Sequence, residues 1–369
     1  MGKYLELFRS EVGDLTEKTK LENKPYIAYS TKLDKVTYTV VPKPADPNTY
    51  VTFTAEEDNS SIRLSALSTY QTMEYSMDTT TWNTFDTTTN ISLNNGDKVY
   101  VRGMLSADNG EYNCTSFKMT GKIAASGNCN ALWNYQDLNA PLKAYCGSYM
   151  FNGCKSLTTA PELTTTTLAK HCYYMMFSDC DSLTAAPKLP ATTLYTGCYA
   201  GMFRGCNSLT TAPELPATVL AGACYQNMFT DCISLATAPE LPATVLAYYC
   251  YCDMFNGCIS LTTAPELPAT TLDINCYYGM FSGCSSLTAA SELPATTLQK
   301  DCYRSMFKNC TNLNHIVCLA TDISAARCTY DWVNKVSSTG TFVKHPSMNG
   351  WTTGTDGIPS GWTVVDAEL

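Results

Sequence analysis

Cys146, Cys172, Cys198, Cys224, Cys250, Cys276, Cys302 and Cys328 stand 26 residues apart. A second column, Cys154, Cys180, Cys206, Cys232, Cys258, Cys284 and Cys310, follows eight residues behind the first. The two columns hold 15 of the 19 cysteines in this 369-residue chain. Leu168, Leu194, Leu220, Leu246, Leu272 and Leu298 keep the same period. A fixed period with apolar columns specifies a tandem array, because one unit cannot bury its apolar face and a stack of units can.

The unit is seen at residues 198–223, CYAGMFRGCNSLTTAPELPATVLAGA. Cys198, Met202, Phe203 and Cys206 fall at i, i+4, i+5 and i+8. That spacing predicts one face of a short helix. Gly205 and Asn207 lie near its C-terminal end, where left-handed backbone is expected. Ser208 to Ala212 reads as an extended stretch able to pair in parallel with its copies. Pro213 has no N–H and ends that pairing. Leu215-Pro216-Ala217-Thr218 then returns to the next unit.

The cysteines admit three readings: disulfides, a metal site, or buried thiols. Cys172 and Cys180 would lie about 12 Å apart along a helix, too far to bond. Neighbours within a column present parallel side-chain vectors, which disfavour closure. An odd total of 19 leaves at least one thiol unpaired within the chain. No Cys-x-x-Cys pair occurs, and a zinc site needs converging ligands. Buried reduced thiols packing as small hydrophobes fit the pattern best, and they suit a reducing compartment. Cys252 is off the columns and is expected to be exposed.

The segment Met-Phe-x-Gly-Cys-x-Ser-Leu-Thr, at Met202 to Thr210 and Met254 to Thr262, resembles the BspA-type leucine-rich repeats common on the surfaces of Bacteroides and relatives. The resemblance spans roughly residues 146–318. This unit differs in its 26-residue length and in carrying Ala-Pro-Glu-Leu-Pro-Ala-Thr where the family has an Ile-rich strand. The implied fold is an α/β leucine-rich-repeat solenoid of 26-residue units, preceded by a small antiparallel β-sandwich domain.

The sandwich is expected over residues 31–120. There β-rich runs (Tyr50 to Phe53, Ser61 to Leu64, Met73 to Ser76, Trp82 to Phe85, Ile91 to Leu93, Lys98 to Val101, Ser116 to Met119) alternate with turn signals such as Asn94-Asn95-Gly96-Asp97. Residues 121–145 read as a degenerate N-terminal cap repeat, since Leu142 precedes Leu168 by 26. Residues 319–369 read as a C-terminal cap, with Asp331-Trp332-Val333-Asn334 in place of Met-Phe. Residues 1–30 carry Tyr4, Leu5, Phe8 and Val12 near helical spacing, which predicts a helical attachment segment.

These flanks carry a second resemblance. Lys-Tyr-Leu-Glu-Leu-Phe at residues 3–8, the unit from Tyr75-Ser76 to Trp82, and Ile91 to Gly103 look like structural proteins of Bacteroides phages, including crAss-like ones. That resemblance implies an exterior virion component: a fibre, decoration or tail-associated protein. Its N-terminal segment would join other virion proteins, and its solenoid would contact a host cell-surface protein or glycan. A secreted bacterial adhesin of the BspA type, at the cell surface or extracellular, stays open. No apolar run of export-signal length follows Met1, which favours the virion reading. Homo-oligomer formation also stays open, since no heptad segment enforces one.

Charge and composition narrow the function classes. Lys and Arg number 24 against 33 Asp and Glu, a net charge of -9. Nucleic acid is therefore an unsuitable partner, because phosphate binding needs a basic face. No run of about 20 apolar residues encodes a membrane span. Three histidines, His171, His315 and His345, leave little for a triad. Glu74, Asp78, Asp86 and Asp97 could serve glycan hydrolysis only as a pair flanking a cleft, and they fall at or near turns. A non-enzymatic protein is expected, with no catalytic, cofactor or metal site.

Outward columns remain as binding candidates. Glu162, Lys188, Glu214, Glu240, Glu266 and Glu292 read as a solvated edge. Tyr173, Tyr199, Tyr225, Tyr251, Tyr277 and Tyr303 are the same in every repeat, as packing between repeats requires. Tyr174, Tyr195, Tyr248, Tyr249 and Tyr278 vary between repeats, so the stack does not need them. They are the candidate binding residues, because tyrosine supplies contact area at low entropic cost.

Overall fold

The computed structural model describes residues 26–29, 39–42, 49–110 and 113–368. The expected attachment residues Tyr4, Leu5, Phe8 and Val12 lie outside the described residues. Strands β1 (Tyr26–Tyr29) and β2 (Thr39–Pro42) form an antiparallel pair.

Each of the seven β-rich runs expected after residue 49 contributes a strand. β3 (Val51–Ala55), β5 (Gln71–Ser76), β6 (Asn83–Thr84) and β8 (Lys98–Leu105) are joined by β10 (Ile123–Ser126) and β11 (Leu157–Thr159) in one sheet, ordered β11-β10-β3-β8-β5-β6. β4 (Ser60–Ala66), β7 (Asn90–Leu93) and β9 (Ser116–Thr120) form a second, ordered β7-β4-β9. Along β8 buried and half-exposed residues alternate, as a strand with one covered face must. Phe53 of the first sheet meets Phe117 of the second at 5.3 Å between ring centroids, so the sheets share an apolar core.

β10 pairs antiparallel with β3 and parallel with β11, which belongs to the first repeat. The sheet therefore runs from the N-terminal unit into the stack. Between them lies the short helix α1 (Ala131–Asn134).

The expected helix within each repeat is not present. The segment from Cys198 to Cys206 is a run of turns in which left-handed residues recur, with φ of +62° at Tyr199, +62° at Gly201 and +71° at Gly205. Met202, Arg204 and Cys206 donate their N–H to the carbonyl three residues back. Gly197, Gly201, Phe203 and Gly205 instead donate to the next repeat, at Gly222, Gln226, Met228 and Thr230. A helix would satisfy every N–H within its own repeat; this alternation sends half of them forward. The same four columns bond at every step from the repeat of Cys146 to that of Cys328. The Tyr column is less uniform: Tyr173 and Tyr199 donate backward to Cys146 and Cys172, while Tyr225, Tyr251, Tyr277 and Tyr303 donate forward.

The left-handed columns explain part of the sequence. One reads Gly153, Asp179, Gly205, Asp231, Gly257, Gly283 and Asn309, all at positive φ. Glycine, aspartate and asparagine tolerate that region best. A Cβ on Gly205 or Gly257 would also strike the carboxylate of Asp179 or Asp231 in the preceding repeat. Glycine therefore follows each aspartate in this column.

The other side of each repeat is extended but barely paired. Ala185, Thr211, Thr237 and Thr263 are joined by single parallel bridges, as are Thr167, Thr193 and Val219. The neighbouring prolines, such as Pro213, have no N–H to lengthen the ladder. The turn side is thus the principal backbone connection between repeats.

Two aromatic columns fill the interior. Phe151, Phe177, Phe203, Phe229, Phe255, Phe281 and Phe307 stack at 5.3–5.8 Å between centroids, with planes within 7° of parallel. Phe117 extends this column into the N-terminal unit at 5.2 Å. The Tyr173-to-Tyr303 column, expected to pack between repeats, stacks at 5.8–6.0 Å. Trp133 meets its first ring and Trp332 its last. Such contacts add about 0.5–1.5 kcal/mol each beyond burial.

All 19 cysteines are free thiols, and 18 are buried. Cys252 corrects an expectation: it is 3% exposed, packed beneath Tyr249 and Tyr278 rather than projecting from the surface. The second cysteine column has a directional role. Cys180, Cys206, Cys232, Cys258, Cys284 and Cys310 donate their thiols to the carbonyls of Phe151, Phe177, Phe203, Phe229, Phe255 and Phe281, at 2.9–3.1 Å.

At the C-terminal end β12 (His315–Cys318), β13 (Thr341–Lys344) and β14 (Thr363–Asp366) form a parallel sheet. Trp332 occupies the end of both aromatic columns, and its indole N–H donates to the Gly357 carbonyl at 2.8 Å.

The turn geometry reverses an ordinary helix expectation. In a helix, Gly257→Ala would stabilise by about 1 kcal/mol. Here it should destabilise by about 1–2 kcal/mol, because φ is +77° and Asp231 crowds the site. Urea unfolding of the two proteins gives the sign.

The thiols also make stability depend on alkaline pH. Burial pushes Cys198 up to about 11 and Cys154, Cys224 and Cys310 up to about 12, from an ordinary value of 9.0. A raised folded value favours the native state fully below pH 9. That contribution is lost as pH rises from 9 through the folded values, at about 1.4 kcal/mol per pH unit for each such thiol. Under reducing conditions the urea midpoint should be flat from pH 7 to 8.5 and fall steeply above 9. A flat profile to pH 11 would contradict the buried ladder.

Candidate binding surface

One column of the turn segments reads Ser148, Tyr174, Ala200, Gln226, Cys252, Tyr278, Arg304 and Tyr330; Ser148, Ala200 and Cys252 are buried, and the larger side chains reach the surface. Beside it runs the left-handed column Tyr145, His171, Gly197, Ala223, Tyr249, Asn275, Asp301 and Arg327. Beneath them Cys, Met and Phe repeat unchanged from Cys146 to Phe307.

Two grooves open on this face and share Gln226. The smaller, about 120 Å³, lies among Tyr174, Met175, Arg204 and Asn227. The larger, about 370 Å³, is lined by Tyr249 and Tyr278, by the buried Cys252, Asn275 and Asp301, and by Lys300, Arg304 and Arg327. Three of the five candidate tyrosines, Tyr174, Tyr249 and Tyr278, therefore line grooves on one face.

Tyr248 flanks them. Its ring meets Tyr249 edge-on at 6.3 Å and lies over Gly222, where any Cβ would collide with it. Tyr195 is half exposed and lines neither groove. The structure thus divides the set: four share the turn face around the grooves, and Tyr195 stands apart.

Charge is concentrated in the larger groove. Asp301 is 2% exposed and takes Arg304 on one oxygen at 3.4 Å and Arg327 on the other at 2.9 Å. The Arg304 guanidinium lies 5.4 Å from the Tyr278 ring centre and 5.3 Å from that of Tyr330. Asp253 accepts from the Asn256 amide and the Cys252 thiol. Burial, then the Asp253 charge, push the Cys252 thiol far above its ordinary value, so it is a wall and not a nucleophile.

The tyrosine search missed Arg304, Arg327, Asp301, Lys300 and Tyr330. Their signal was present, because they occupy the same variable columns. Reading by column and not by residue type would have found them.

The four carboxylates weighed for hydrolysis have other partners. Asp78 accepts the N–H groups of Thr81 and Thr80, and these hold its carboxyl well below the usual range. Asp86 is held low by the Thr88 hydroxyl first, with the Thr88 N–H and both donors of Thr89. Asp97 accepts the Asn94 N–H, and Glu74 pairs with Arg102 at 2.7 Å. A general acid needs a raised value, the opposite of Asp78 and Asp86. The column from Glu162 to Glu292 is exposed throughout. Among the described residues no group of three or more His, Cys, Asp or Glu could hold a metal ion, and no helix is long and apolar enough to cross a membrane.

Stacked repeats with an unchanging interior define a tandem-repeat protein. The model of the BspA type leucine rich repeat region matches residues 133–252 and 223–326, in six copies, and the chain belongs to this family. Repeats of this type suggest a surface or recognition protein. No curated protein and no solved structure matches the chain.

Proposed function

We propose that this chain is a non-enzymatic recognition protein whose turn face contacts a host cell-surface protein or glycan. In this reading residues 146–318 act as one solenoid, held between a β-sandwich over residues 31–120 and a C-terminal cap over residues 319–369. One observation carries it: variable aromatic and charged residues line two grooves on one face, above a core that repeats almost unchanged. A stack built for extension alone has no need of that variation.

The carrier is proposed to be the exterior of a phage virion, in line with the resemblance of residues 3–8, 75–82 and 91–103 to phage structural proteins. The N-terminal residues Tyr4, Leu5, Phe8 and Val12 would then face other virion proteins. Peptide mass spectrometry of gradient-purified particles beside washed host membranes tests the placement. Recovery from particles in stoichiometric amount supports it; recovery only from membranes makes the chain a bacterial adhesin of the BspA type.

Recognition itself is tested with labelled full-length protein on Bacteroides cells. Replacing Tyr249 and Tyr278 together by Ala should weaken binding about tenfold or more, while Tyr195→Ala leaves it unchanged. Unfolding midpoints of the variants report whether the stack survives. Undiminished binding by the double variant, with an intact stack, removes the grooves from the reading.

A further inference from the structure

The chain carries a net charge of -9, yet the larger groove gathers Lys300, Arg304 and Arg327 against only Asp253 and Asp301. Both acids are already engaged. Asp301 has an arginine on each oxygen, and Asp253 accepts from Asn256 and Cys252. The cations are not used up. Lys300 is exposed and has no ion-pair partner among the described residues. Arg304 meets Asp301 through one nitrogen and is 29% exposed, its guanidinium flanked by Tyr278 and Tyr330. Arg327 reaches Asp301 through one nitrogen and remains 52% exposed. The groove therefore offers fixed donors in excess of acceptors, beside the tyrosine rings of Tyr249 and Tyr278.

We propose that this groove binds a carboxylate-bearing saccharide, the acid group taken by Lys300 and Arg327 beside the Arg304 guanidinium, and the ring face lying on Tyr249 or Tyr278. The inference rests on the recognition reading above and names its ligand class. Arginine in a fixed orientation suits a planar two-oxygen acceptor. At about 370 Å³ the groove is near the small end of ligand sites, and its lining is polar apart from the tyrosines and Cys252. The Asp and Glu side chains of an acidic peptide have no ring face to lie on Tyr249 or Tyr278. A bare anion would not need the aromatic walls.

The test uses the full chain and a panel of saccharides: sialyllactose against lactose, and glucuronate and galacturonate oligosaccharides against their neutral glucose and galactose counterparts. Calorimetry should find at least one acidic member bound about tenfold or more tighter than its neutral counterpart. Lys300→Gln, at an exposed position outside any ion pair among the described residues, should weaken that member several-fold while leaving the unfolding midpoint in place. Raised salt should weaken binding as well. Equal affinity for acidic and neutral members overturns the proposal, as does absence of binding by every acidic member. Binding of poly-glutamate as tight as the best saccharide overturns the saccharide assignment in favour of an acidic peptide. Competition on Bacteroides cells separates this failure from that of the broader reading. Cell binding that no acidic saccharide displaces sinks this ligand class alone, whereas no cell binding at all removes the recognition reading and this inference with it.

Discussion

The forward hydrogen bond from turn to turn is the constraint on which the rest of the structure depends. Four N–H groups of each repeat point to carbonyls of the next, in the same columns at every step. A ladder of this kind has a direction. Its first repeat presents carbonyls with no preceding repeat, and its last presents N–H groups with no following one. Unpaired backbone groups are costly when buried, so each end needs a partner of opposite kind.

The two flanks meet that need differently. At the carbonyl end, Phe117 donates its N–H to Met150 at 2.8 Å and Asn109 donates to Ala144 at 3.2 Å. These donors come from the N-terminal unit, which also supplies Phe117 as the first ring of the Phe column. At the N–H end, the Asp356 carboxylate accepts from Asp331 at 2.7 Å, and the Thr355 carbonyl accepts from Val333 at 3.2 Å. An anion at the end where N–H groups emerge is electrostatically favourable, as it is at a helix N-terminus. The caps are thus not interchangeable, because a carbonyl-rich cap would leave the carbonyl end unsatisfied.

Much of this was legible in the sequence, and the part that was not has a physical cause. The period, the columns and seven of the ten strands before the stack follow from apolar and β-rich spacing. The helix expectation failed because Cys198, Met202, Phe203 and Cys206 share a face in either backbone, so periodicity alone could not separate them. The discriminating signal lay in the column from Gly153 to Asn309, where Gly and Asp stand in place of helix formers. Cysteine's role was half visible. Burial of a small hydrophobe was expected, but the thiol bond to a phenylalanine carbonyl 29 residues back needs the stacked geometry. The larger groove was hidden for a related reason. Asp301 and Arg327 belong to successive repeats, and only stacking brings them within 2.9 Å.

The same ladder also decides where variation can occur. A residue whose side chain points inward meets its own copies above and below, so any change is felt in two interfaces. Phe203 meets Phe177 and Phe229 at 5.8 Å each, and a smaller ring there would open a gap on both sides. An outward residue in the Tyr174-to-Tyr330 column contributes its backbone to the ladder but not its side chain. The backbone term is the same for alanine, glutamine or arginine. Tyr174, Gln226 and Arg304 can therefore differ without altering the stack. Left-handed outward positions are freer in chemistry than in shape: Tyr249, Asp301 and Arg327 hold φ near +55° at a cost of about 1–2 kcal/mol each relative to glycine. The turn imposes that φ in every repeat, at Gly197 and Ala223 as at Tyr249, so the forward ladder and not the side chain accounts for the strain.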